Sequence, residues 1–94
     1  MRKFAAIVIL TGSLAAEQAW AAPEGFRVDG LPRDETLTIR EAPDAEAPAV
    51  AEVPVGRRLI GFGCTTDTPS GRTWCRVKYG RSVGWARRRY LAPD

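Results

Sequence analysis

The chain has 94 residues with a formal net charge of +3, 14 basic against 11 acidic side chains, two cysteines and no histidine. That length suits one small domain. The missing histidine removes the commonest general base, the commonest metal ligand and the group that switches charge near neutral pH.

The first segment does not read as part of the domain. Met1-Arg2-Lys3 is a cationic start, and Phe4 to Ala16 carries no charge. "EQAWAAPEG" follows, with small residues at Ala19 and Ala21. This is the layout of a secretory signal peptide, with cleavage expected after Ala21. The apolar run falls short of the roughly 20 residues that span a membrane, and no cysteine at the junction offers a lipid anchor. The expected mature chain is 22–94, periplasmic or secreted, without a stable membrane anchor. Oxidising surroundings then favour a Cys64–Cys75 disulfide over a metal site or a thiol nucleophile. Thirty-four residues, Ala22 to Val55, hold eight acids and three bases; Gly56 to Asp94 hold nine bases and two acids. Such asymmetry fits either an anionic partner or two halves that neutralise each other on folding.

Proline and glycine interrupt the mature chain every few residues, which excludes a long helix. Short strands with turn chemistry between them suggest a small barrel or sandwich. Phe26 to Gly30, "FRVDG", alternates as a first strand. In Thr36 to Arg40, "TLTIR", Leu37 and Ile39 face one way. "EAPDAEAPA" reads as an acidic loop. Val50 to Gly56 is a strand whose alternation breaks, so a bulge or bend is expected near Pro54. Arg57 to Cys64 is a longer strand with glycines that permit coiling. "TTDTPSGR" is a turn, Thr73 to Tyr79 the return strand, and Val83 to Arg88 the last strand. "RRYLAP" closes as a single helical turn before Pro93.

These pieces, in this order, resemble the bacterial SH3-like (SH3b) domain family. The residues that carry the resemblance are Leu37-Thr38-Ile39-Arg40 with Pro43, Val53-Pro54-Val55-Gly56, Trp74-Cys75-Arg76-Val77, Gly84-Trp85-Ala86 and Tyr90-Leu91. Thr38 replaces the family's usual Asn, and Glu41-Ala42 its usual Ser-Gly, which alters a turn rather than the fold. The resemblance implies an all-β, partly open SH3-like barrel of five to seven short strands with a terminal 3-10 turn. It also implies a module that binds cell-wall (peptidoglycan) peptide or an envelope protein, with a cap on an envelope enzyme as the alternative.

No serine or cysteine has a base near it in sequence, so the chain reads as a non-enzyme without cofactor or metal. The candidate ligand-binding residues are Trp74, Arg76, Lys78, Trp85, Tyr90, Arg87, Arg88 and Arg89. Period two puts Cys75, Val77 and Tyr79 on one face of their strand and Trp74, Arg76 and Lys78 on the other. With Cys75 and Val77 toward the core, Trp74 is expected on the outer surface among cations, either covering a barrel edge or contacting a ligand. In the related eukaryotic fold Gly-x-x-Pro-x-x-Tyr feeds a groove for proline-rich ligands. Gly84 and Tyr90 match that pattern, but Arg87 stands at the proline, so proline-rich helices are not implied. Tyr90 either borders a shallow groove or packs on the barrel end. The run Arg87-Arg88-Arg89 either pairs with Asp44 and Glu46, meets an anionic ligand, or is a solvated patch. Export argues against nucleic acid, and a monomer is expected.

Overall fold

A computed structural model describes residues 22–94. The segment expected to be a signal peptide, 1–21, lies outside them. Seven strands form one antiparallel sheet: β1 Glu24–Val28, β2 Thr36–Arg40, β3 Ala49–Pro54, β4 Arg58–Thr65, β5 Trp74–Tyr79, β6 Ser82–Arg87 and β7 Leu91–Pro93. A 3-10 turn, Arg88–Tyr90, separates the last two. The strand order is β3-β2-β6-β5-β4-β1-β7. Every strand gives the core at least one buried side chain: Phe26 and Val28, Leu37 and Ile39, Val53, Leu59, Cys75 and Val77, Ala86, and Leu91. The sheet therefore curls around one apolar centre, as the expected open barrel requires.

Two glycines allow that curl. A Cβ at Gly61 would sit 2.4 Å from the Phe26 ring, so β1 can press its aromatic side chain on β4 only there. A Cβ at Gly84 would sit 2.5 Å from the Arg40 carbonyl oxygen and 2.7 Å from Cγ2 of Ile39. β2 meets β6 at a single ladder pair, Arg40 with Trp85. Gly84 is thus where the β2–β3 hairpin joins the other five strands.

The alternation of "TLTIR" is realised with Leu37 and Ile39 buried. Three expectations need correction. The first strand runs over Glu24–Val28, because Val28 pairs with Leu91 and Gly30 turns the chain away at φ 82°. The break in β3 lies at Val50 rather than near Pro54: Ile39 pairs with Ala51 and Arg40 with Ala49, which leaves Val50 as the extra, bulged residue. Finally, only Arg88–Tyr90 forms a helical turn, and "LAP" continues as β7 against β1.

The disulfide joins directly opposed residues. Cys64 pairs with Cys75 in the β4–β5 ladder, and the two sulfurs are bonded. Between Gly61↔Val77 and Cys64↔Cys75, β4 advances by three residues and β5 by two. This bulge gives β4 its sharp coil. Closing a loop of about twelve residues stabilises by roughly 3 kcal/mol in the chain-entropy model. At about 4–8 °C per kcal/mol for a domain this small, Cys64→Ser with Cys75→Ser should melt about 10–20 °C lower and keep its β-sheet circular-dichroism spectrum. An unchanged melting temperature, in the double variant or on reduction, would contradict the role given to the bond.

Candidate binding surface

The central strands carry their polar side chains on the outer face, and the ladder sets these in rows. Ile60 opposes Lys78, which opposes Val83. Arg76 opposes Trp85, which opposes Arg40. Thr65 opposes Trp74, which opposes Arg87. Directly opposed side chains project to the same side of the sheet, so each row is a line of neighbours. β2, β4, β5 and β6 contain no acidic residue. Arg76 and Lys78 are exposed, Trp85 is half-buried, and Ile60 and Val83 are 44% and 42% exposed.

Of the two readings of Trp74, the structure shows the packing one. It lies on the face opposite Cys75, as period two requires, yet only 3% of it is exposed. It stays apart from the main core cluster, and the Arg87 guanidinium lies 6.0 Å from its ring centroid. Its buried Nε1 has no hydrogen-bond acceptor within the described residues. The strand is therefore covered on both sides at this end, and Trp74 is a packing residue in this conformation.

Of the readings open for the three consecutive arginines, pairing with the acidic loop is not realised. None forms an ion pair with Asp44 or Glu46 among the described residues. Each lies over an aromatic ring instead: Arg87 over Trp74, Arg88 over Phe26 at 5.2 Å, and Arg89 over Tyr90 at 5.4 Å. Attraction of the guanidinium charge to the ring quadrupole and burial of the apolar stem favour this arrangement. Arg88 also donates to the Leu91 carbonyl oxygen. Burial of the Arg87 guanidinium lowers its pKa, with the charges of Arg72 and Arg89 adding to the effect and Tyr90 opposing it. Tyr90 is half-buried and packs against the core. Strand and turn geometry thus split the triplet over separate rings.

The acidic loop is occupied with itself and with β2. Asp44 Oδ1 accepts from the Glu46 amide, and Arg40 Nη1 donates to the Ala47 carbonyl oxygen. Glu52 accepts from the hydroxyls of Thr36 and Thr38. Among the described residues no acid of the acidic half pairs with a base of the basic half. Both ion pairs of the described residues fall on Asp94, at 2.8 Å from Arg27 and 2.7 Å from Arg58. This clamp ties β1 and β4 to the end of β7.

Beside the clamp a groove of about 450 Å³ opens along Gly25, Arg58, Leu59, Ile60, Lys78, Gly80 and Asp94. It runs into the outer face at Ile60 and Lys78. Of the candidate residues, Arg76, Lys78 and Trp85 come together on that face. Trp74 and Arg87 are packed at its far end, and Arg88, Arg89 and Tyr90 belong to the 3-10 turn. Reading by sequence missed Arg40, Arg58, Ile60, Val83 and Asp94. Their outward positions follow from alternation, but their adjacency follows only from register.

The family model for the bacterial SH3 domain matches residues 35–92. The chain belongs to the bacterial SH3 domain family. No curated protein and no solved structure matches it. β1 lies before the matched residues and inserts between β4 and β7, so this bacterial SH3 domain uses a strand outside the match to complete its sheet. The family is one of binding modules, generally without catalysis. Among the described residues no group of three or more His, Cys, Asp or Glu side chains gathers to hold a metal ion.

The Asp94 clamp gives a pH dependence. The hydrogen bond from Arg27 holds the Asp94 carboxyl below the ordinary carboxylate range; desolvation opposes this, and the charges of Arg58 and Arg27 add to it. A depressed folded-state pKa contributes stability above the unfolded value of about 3.9 and loses it as pH falls through the folded value. Asp94→Asn should therefore melt below the wild type at pH 5–7, and the two curves should converge as pH falls below about 4. Parallel curves down to pH 2 would show that the carboxylate does not act as the clamp.

Proposed function

We propose that this bacterial SH3 domain is an exported, non-catalytic binding module that engages cell-wall peptide or a protein of the envelope. The observation that carries the reading is the outer face of β4, β5 and β6. It sets two exposed cations, Arg76 and Lys78, beside a half-buried Trp85 and continues into a groove. Aromatic and arginine side chains are enriched at recognition surfaces, where the ring supplies area and the cation supplies direction. Trp74 and Arg87 pack together at one end of this face, and Arg88, Arg89 and Tyr90 lie in the 3-10 turn with each arginine against an aromatic ring. Export is supported by the Cys64–Cys75 bond, which suits an oxidising compartment, and by the leader-like start of the sequence. On this reading residues 1–21 are a removed signal peptide and 22–94 the domain.

Tagged protein should co-sediment with purified peptidoglycan, or capture one envelope protein at equal stoichiometry, and the retained chain should begin near Ala22. Retention should leave the wall intact. Release of soluble muropeptides, lost on a single substitution, would make it an enzyme. Failure to retain either bait, or an intact Met1 on the bulk of native material, would contradict the proposal.

A further inference from the structure

The outer face has a chemistry more specific than a general binding surface, and the inference rests on the module reading above. Five cations project from β2, β4, β5 and β6: Arg40, Arg58, Arg76, Lys78 and Arg87. Three are engaged within the fold. Arg58 is paired with Asp94, Arg87 lies over Trp74, and Arg40 donates to Ala47. Arg76 and Lys78 are exposed and form no ion pair among the described residues. Their charge faces outward without compensation from any acid on these strands.

The same face is not simply cationic. Ile60 and Val83 flank Lys78 in one row, and they are two of the three large hydrophobic residues exposed in the described chain. Trp85 lies between Arg76 and Arg40 in the next row. Apolar and cationic side chains therefore alternate across the sheet. The spacing is about 4.8 Å between strands and about 6.8 Å between successive outward residues of one strand. A phosphate polymer would satisfy the charges and leave Ile60 and Val83 facing water. An extended polypeptide carries side chains on the same two-residue spacing and can present carboxylates and aliphatic groups together.

We propose that this face docks an acidic segment of a partner protein in extended conformation, with carboxylates on Arg76 and Lys78 and apolar side chains on Ile60, Val83 and Trp85. Complementary charge would guide the encounter, and the apolar contacts would set residence time. The groove beside Ile60 and Lys78 gives the segment a continuation toward Arg58 and Gly80.

The test titrates isotope-labelled protein with three probes: a soluble peptide alternating glutamate with valine, its lysine–valine counterpart, and polyphosphate of matched charge. The glutamate peptide should bind, weaken with salt, and shift the amides of Ile60, Arg76, Lys78, Val83 and Trp85. Arg76→Glu with Lys78→Glu should reduce that affinity at least tenfold with the melting temperature unchanged. Val83→Thr should weaken the glutamate peptide by several-fold and leave polyphosphate unaffected. The proposal is overturned if polyphosphate binds as well as the peptide, if charge reversal has no effect, or if the shifts fall elsewhere. Retention on peptidoglycan that survives the charge reversal would preserve the module and overturn this face as its partner site.

Discussion

The close approach of β2 to β6 over Gly84 is the constraint on which the rest of the molecule depends. A side chain at that position would meet the Arg40 carbonyl oxygen and the Ile39 side chain within contact distance. Without it the backbone of β2 lies directly on β6, and Ile39 reaches full burial. Only one ladder pair holds this junction, so packing rather than hydrogen bonding sets the angle between the hairpin and the larger sheet. The same pair aligns Arg40 with Trp85 and, through β5, with Arg76. Core closure and the order of the outer face are consequences of one contact.

A domain of this size buries a modest fraction of its surface, and the chain compensates in three ways. The disulfide constrains the β4–β5 hairpin beside its bulge. Asp94 draws β1 and β4 together through two arginines. Each arginine of the Arg87–Arg89 run lies over its own aromatic ring, so a run that reads as a patch in the sequence is divided among three packing contacts. The surface left for recognition is accordingly on β4, β5 and β6, where alternation points cations outward and no acid lies among them.

Strand identity was legible because alternation is a local signal. "TLTIR" places Leu37 and Ile39 inside whatever partner it meets, and the turn residues around Gly71 and Gly80 fix where hairpins reverse. The disulfide was legible because its two cysteines flank a turn of suitable length. Burial was less so. Alternation assigns Trp74 to the outer face but does not reveal that it is buried there with Arg87 over its ring. The bulge at Val50 was displaced from its expected site because Pro54 tolerates the end of a strand, whereas the extra residue sits where β3 passes the β2–β6 junction. The groove and the rows of the outer face involve residues up to 69 positions apart, Gly25 to Asp94, and no pattern within one strand encodes register between strands.

Thermal unfolding of Gly84→Ala tests the central constraint most directly. Forcing a methyl group into a packed contact costs about 1–3 kcal/mol, which at this size corresponds to a fall of about 5–20 °C. A loss in that range is expected, together with altered amide shifts at Ile39, Arg40 and Trp85. A variant that melts with the wild type and keeps those shifts would show that the β2–β6 junction does not rest on the missing side chain.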